Sequence, residues 1–138
     1  MTWEEKTRLL EKELNFKHLF EVLCLEKEQT FAIWLEDGEV KSYNYEYLEN
    51  LSFAGSENII NLGFGKKEEW TGIAVDTCKE WPVMFWGLLS AGRRVLLLDP
   101  SLDDKGIDRL MKQSGAKTLI TRRKRGLDYV QLTPKQIV

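Results

Sequence analysis

The chain has 138 residues, with 20 Lys and Arg set against 22 Asp and Glu and a formal net charge of −2. That balance is too small to steer the protein to nucleic acid or to an acidic membrane surface. Hydrophobic residues make up 43% of it, enough for one buried core, and no apolar stretch reaches the roughly 20 residues of a membrane-spanning helix. The two cysteines, Cys24 and Cys78, form no Cys-x-x-Cys pair and have no histidine pair nearby, so neither a disulfide framework nor a zinc site is indicated and apolar burial is expected for both. Acidic residues in Met1-Thr2-Trp3-Glu4-Glu5-Lys6 argue against a signal peptide, and a cytoplasmic location is expected.

Thr2 with Glu5 has the pattern of a capping box, and Leu9, Leu10 and Leu14 recur at helical spacing, which predicts a first helix. Phe16, Leu19, Phe20 and Leu23 predict a second after Asn15, so residues 1–29 read as an N-terminal helical segment and residues 30–138 as an α/β subdomain. The β-rich runs Thr30 to Leu35 and Glu39 to Tyr43 flank Glu36-Asp37-Gly38, where Asp-Gly supplies the positive φ values of a tight hairpin turn. Tyr47, Leu48, Leu51, Ala54, Ile59 and Leu62 predict a helix from about Tyr45 that Gly63 ends, with Gly55 as a weak point in its middle.

The segment from Trp70 to Pro100 is the most informative. Ile73-Ala74-Val75-Asp76 and Arg94-Val95-Leu96-Leu97-Leu98-Asp99-Pro100 are short apolar runs joined by one helix's worth of residues, the pattern of a βαβ crossover with parallel, buried strands. In the helix between them, expected from Cys78 to Ala91, Thr77 and Glu80 look like a capping box. Val83, Met84, Phe85, Trp86, Leu88 and Leu89 leave almost no polar face, so cover on both sides is expected, as is self-association if that cover is incomplete. Ser101 with Asp104 reads as the next N-cap, Ile107, Leu110 and Met111 as an apolar stripe, and Gly115 as the stop. Ala116 to Thr121 and Leu127 to Leu132 are expected strands, with Thr133-Pro134 as a break or a helix start. The fold class is therefore α/β, a mainly parallel sheet with helices on both faces, preceded by N-terminal helices and a β-hairpin.

Gly63-Phe64-Gly65-Lys66-Lys67, Asp76-Thr77-Cys78-Lys79-Glu80-Trp81-Pro82, Ala91-Gly92, Leu98-Asp99-Pro100-Ser101-Leu102 and Ser114-Gly115-Ala116-Lys117, in this order and spacing, resemble the opening segment of the adenylate-forming superfamily, the AMP-forming acyl-CoA synthetases and related acid ligases. Ser42-Tyr43 before an amphipathic helix fits the same family's early Ser/Thr-Tyr signature, so the resemblance covers about Phe31 to Thr121. It implies part of the N-terminal domain of an enzyme that activates a carboxylate as an acyl-adenylate and passes the acyl group to a thiol, with ATP, Mg²⁺ and coenzyme A as cofactors and the remainder of the ligase as partner. The family's Ser/Thr/Gly-rich phosphate loop, adenine segment, ribose-binding Asp and mobile lysine lie downstream of the matched region. The expectation is a scaffold that ends before the phosphate loop, with no catalytic residue and no metal site of its own, and no tight ATP binding. The chain departs from the family at Glu68-Glu69, where Gly-Asp is usual, at Thr77, where Asn is usual, and at Lys79, where Pro is often found.

Read without the resemblance, the chain offers few catalytic motifs. Gly63-Phe64-Gly65-Lys66-Lys67 lies after a helix and before a strand, the reverse of a phosphate-binding loop, and reads as a helix stop and turn. His18, the only histidine, falls on an amphipathic helix, where a surface or packed role is expected. Asp76 and Asp99 stand at strand C-termini, the edge where a Mg²⁺ or ribose contact would be made, though both also suit ordinary turns. Trp3, Trp34, Trp70, Trp81 and Trp86 could line an acyl pocket or pack in the core, core packing being favoured. Arg122-Arg123-Lys124-Arg125 follows a strand where a polyphosphate could approach, though such a run also suits a solvated loop. A noncatalytic binding or interaction module is the alternative to a ligase scaffold.

Overall fold

The computed structural model describes residues 1–64 and 66–138, and these divide into two compact units, Met1–Leu51 and Ser52–Val138. The first holds α1 (Trp3–Glu11), α2 (Phe16–Leu23), β1 (Thr30–Glu36), β2 (Glu39–Asn44) and the start of α3 (Tyr45–Leu62). The expected capping box forms: Thr2 Oγ1 accepts from Glu5 N at 3.1 Å while Thr2 N donates to Glu5 Oε2 at 2.7 Å. Asn15 Oδ1 accepts from His18 N at 2.8 Å to start α2, and the His18 ring Nε2 meets Leu9 O, tying α2 to α1. Asp37 and Gly38 have φ of 52° and 79°, the two left-handed residues that a two-residue hairpin turn requires. Tyr43 is buried on the hairpin, its ring 5.8, 5.6 and 5.3 Å from those of Phe31, Trp34 and Tyr47. The Ser/Thr-Tyr signature thus places a core aromatic.

The second unit contains β3 (Trp70–Ala74), α4 (Trp81–Ser90), β4 (Arg94–Leu97), α5 (Asp104–Ser114), β5 (Thr118–Thr121), β6 (Val130–Leu132) and α6 (Pro134–Ile137). Its four strands are all parallel, in the order β4-β3-β5-β6. Because successive strand residues point to opposite faces, the unit has two cores. Ile73, Val75, Ile120 and Leu132 pack with Ile59 of α3, Met84 and Leu88 of α4, and Ile137 of α6. Ala74, Leu119 and Leu98 pack with Ile107 and Met111 of α5. Ile107, Met111, Leu119 and Ile120 are fully buried, each worth about 1.5–3 kcal/mol relative to exposure. Helices therefore cover both faces, as the sequence predicts.

Gly55 and Gly87 explain how α3, α4 and α6 come so close. A Cβ at Gly87 would lie 3.3 Å from Ser52 O, and one at Gly55 would lie 3.5 Å from Ile137 O. Asn58 Nδ2 donates to the same Ile137 carbonyl at 2.9 Å. The apparent weak point of α3 is the seat of α6, so the propensity lost at Gly55 is offset by packing.

Several expectations are corrected. α4 starts at Trp81 rather than Cys78, its N-cap Glu80 makes no side-chain cap bond, and Thr77 does not cap. Pro82 in the first turn fixes the start, because its missing N–H costs nothing there. α5 is capped by Asp103, whose Oδ1 accepts from Gly106 N at 2.8 Å, and not by Ser101. The outer side chains of α4, Trp81, Phe85, Trp86 and Leu89, are half-buried rather than sealed. None of the five tryptophans is fully buried, and Trp3 is 80% exposed. Gly63 ends α3 at φ 69°, as expected, whereas Gly65 of the predicted turn lies outside the described residues.

Candidate functional site

The connections at the sheet's C-terminal edge leave in opposite directions. β3 leads into α4 on one face, and its neighbour β4 leads into α5 on the other. Such a reversal opens a crevice beyond the strand ends, where ligands of open α/β sheets bind. A cleft of about 420 Å³ lies there, lined by Val75, Asp76, Pro100, Asp104, Thr121 and the loop 122–126.

Buried and half-buried polar groups hold that loop. Arg125 Nη1 donates to Leu102 O at 2.8 Å and reaches Asp104 Oδ1 at 3.3 Å, while Nη2 donates to Pro100 O at 2.6 Å. Gln131 Oε1 accepts from Arg125 N at 2.7 Å, and its Nε2 donates to Arg125 O and Leu127 O, both at 3.0 Å. Thr121 Oγ1 donates to Arg123 O at 3.1 Å. The planar fork of Arg125 joins the β5–β6 loop to the β4–α5 loop, a task a single ammonium could not do as well.

The remaining charges sort by whether they have partners. Asp99 Oδ1 accepts from Ser101 N at 2.9 Å and from Ser101 Oγ at 2.7 Å, and these bonds, the backbone one first, hold its carboxyl below the usual range. Asp99 is thus a turn residue and does not line the cleft. Asp76 lines it and is exposed. Arg122, Arg123 and Lys124 also line it, and among the described residues none of the three side chains makes an ion pair or hydrogen bond.

The other sequence candidates lie elsewhere. His18 belongs to the helical pair of the first unit, and no tryptophan lines the cleft. Cys24 is buried, and burial pushes its thiol up to about 11. Cys78 is only half-buried, against the expectation, with its thiol raised by burial and then by a hydrogen bond to Glu80. A high thiol pKa leaves little thiolate for nucleophilic work in either. The clamping role of Arg125, a residue legible only as a member of the basic run, and Gln131 altogether escaped the sequence reading, because partners 23 and 6 residues away carry no local signal; Asp103 had one, in Asp-x-x-Gly at a helix start. Among the described residues no three His, Cys, Asp or Glu side chains converge, and Asp104 is already paired with Arg125. The donor set here does not fit a divalent cation by itself.

The description of the AMP-binding enzyme family matches residues 23–137. The chain belongs to that family. Among curated proteins it is 25% identical over 134 residues to nonribosomal peptide synthetase dtxS1 of Metarhizium robertsii, covering 91% of this chain and 2% of that protein. It is 31% identical over 90 residues to peramine synthetase A of Epichloe festucae, covering 65% of this chain and 3% of that protein. The N-terminal subdomain of Klebsiella oxytoca NpsA, solved with 3-hydroxybenzoyl-AMSN, superposes with a TM-score of 0.76 at 15% identity over 88% of this chain and 30% of that one. The fatty acid AMP ligase of Legionella pneumophila gives 0.67 at 15% identity over 91% and 26%. At such identity the structural likeness speaks for the fold alone. The chain spans only 2–3% of the curated relatives it matches. Glu68, the position where the resemblance leads one to expect glycine, sits at φ 70°, left-handed backbone that favours glycine.

Proposed function

We propose that the protein carrying this chain is an AMP-forming acid–thiol ligase. In the reaction a carboxylate oxygen attacks the α-phosphorus of ATP and expels pyrophosphate, and a thiol sulfur then attacks the acyl carbon and expels AMP. The family match over residues 23–137 carries this reading. The parallel sheet, with its open C-terminal edge, supplies the scaffold. Coenzyme A or a carrier-bound thiol would accept the acyl group. The peptide synthetases named among its relatives favour a carrier-bound thiol.

ATP–pyrophosphate exchange, run with a panel of fatty, aryl and amino acids, tests the reading on the longest reading frame that includes this chain. Carboxylate-dependent exchange is the expected result, with AMP as the nucleotide product once a thiol acceptor is supplied. ADP as product would overturn it. The 138-residue chain alone should give no exchange, because among the described residues no loop presents converging backbone N–H donors to a triphosphate at a helix N-terminus.

A further inference from the structure

We propose that the cleft at the C-terminal edge of the sheet is a binding site for a phosphate-bearing anion, held by Arg122, Arg123 and Lys124. Three observations carry this. The cleft lies where the connections of neighbouring strands diverge, and its volume of about 420 Å³ suits a small ligand. The loop that presents the three cations is fixed in place by Arg125, Gln131 and Thr121. A fixed loop is a pre-paid one, so a ligand need not order it. The cations themselves have no acidic partner among the described residues, although the acidic Asp99, Asp103 and Asp104 stand on the neighbouring loop. Each of those carboxylates is already taken, by Ser101, by the Gly106 amide and by Arg125.

Three adjacent like charges on a rigid loop repel one another, and an anion between them relieves that repulsion. Phosphate oxygens match the donors, since guanidinium offers paired N–H groups and ammonium a point charge. Asp76, two residues beyond the end of β3, is the one exposed acid lining the cleft that makes no ion pair or hydrogen bond among the described residues, and it limits affinity through repulsion. The site rests on this loop alone and does not require the protein to be a ligase.

Calorimetric titration of the chain with inorganic pyrophosphate, at constant ionic strength, tests it. Saturable binding in roughly the millimolar range is expected, as for a few solvent-exposed charge-assisted bonds. The triple variant Arg122→Gln, Arg123→Gln, Lys124→Gln should weaken it at least about tenfold. A control with the same loss of charge on α1 and α2, Arg8→Gln, Lys12→Gln, Lys17→Gln, should bind as the unmodified chain does. Asp76→Asn should tighten binding severalfold, a change of sign that a merely solvated basic surface would not give. Equal binding by the two triple variants, or no saturation, would overturn the proposal. Inorganic phosphate and ATP as further probes identify the source of the anion. ATP binding no tighter than pyrophosphate supports a site that reads phosphate, whereas ATP binding without pyrophosphate binding would overturn it in favour of base or ribose recognition. Because no turnover is measured, failure here leaves the ligase reading untouched, and circular dichroism confirms that each variant is folded.

Discussion

The two ends of the parallel sheet use the same residue types for opposite purposes. At the N-terminal end, Arg93 is buried, with Nη1 donating to Ala91 O at 3.0 Å and Nη2 to Phe64 O at 3.4 Å. Those carbonyls follow the ends of α4 and α3, where the helix dipoles are negative and favour a cation. Beside the opposite edge strand, β6, Tyr129 Oη donates to Asp108 Oδ1 at 2.7 Å, and Asp108 pairs with Lys112 at 2.8 Å. At the C-terminal end, Arg125 is used in the same structural way, but Arg122, Arg123 and Lys124 are left open. Arginine therefore closes one end of the sheet and charges the other; what separates the two roles is whether backbone carbonyls stand within reach.

If that contrast is correct, the largest effect belongs to the closed end. Arg93→Ala removes two donors from buried carbonyls and leaves a void, and should cost about 3 kcal/mol of stability, measured by urea unfolding. A change of only a few tenths would mean that the desolvation cost of the buried guanidinium cancels its bonds. Arg125→Gln comes next, at about 1–2 kcal/mol, because its bonds join two half-exposed loops. Amide exchange should speed up at Ser101, Leu102 and residues 122–126 while β3 stays protected; exchange unchanged in both loops would show that Arg125 does not hold them.

Much of this contrast could not be read along the chain. The βαβ crossover, the Asp37-Gly38 turn and the Thr2 and Asn15 caps were legible because their partners lie within a few residues. Gly115, at φ 76°, stops α5 as expected for the same reason. Thr77 and Glu80 misled because a capping box is only a spacing, and Pro82 decided where α4 begins. Ser101 misled because Asp99 captures its amide and hydroxyl first. The basic run and Asp76 were visible as candidates, but the cleft that gathers them depends on strand order, and the clamp that fixes them depends on Arg125 reaching Pro100 and Leu102. Trp70 and Trp81 pack against the two cores as favoured, whereas Trp3 is exposed, because hydrophobicity indicates a preference for the interior and does not say whether a second layer is there to supply it.

Glu68 gives a smaller, opposite effect at the closed end. Its φ of 70° costs an L-residue about 1–2 kcal/mol, while glycine there would lose some of that gain through the extra freedom of the unfolded chain. Glu68→Gly should therefore stabilise the chain by about 0.5–1 kcal/mol, seen as a higher urea midpoint with an unchanged slope. The backbone bond from Glu68 N to Gly92 O, at 2.7 Å, survives the change. Destabilisation would show that the Glu68 side chain contributes more than its backbone strain costs.

The smallest effect is the pH dependence of the Tyr129–Asp108 contact. The hydrogen bond to Asp108, then burial, raises the Tyr129 phenol from 10.0 to about 12. A raised pKa favours the protonated form in the folded state, so this contribution is full below pH 10 and is lost as pH rises toward 12. Asp108 is held below its ordinary value of 3.8, first by Lys112 and then by Tyr129, so its contribution is present above that value and is lost as pH falls through the lower folded one. Tyr129→Phe should therefore flatten the alkaline limb of the stability profile, and should remove a phenolate that titrates at about 12 from the ultraviolet absorbance curve. At neutral pH it should cost less than Arg93→Ala, because the pair is partly open to water and screened by it. If the variant keeps the alkaline limb, the phenol is free in solution, and Lys112 alone closes Asp108 at this end of the sheet.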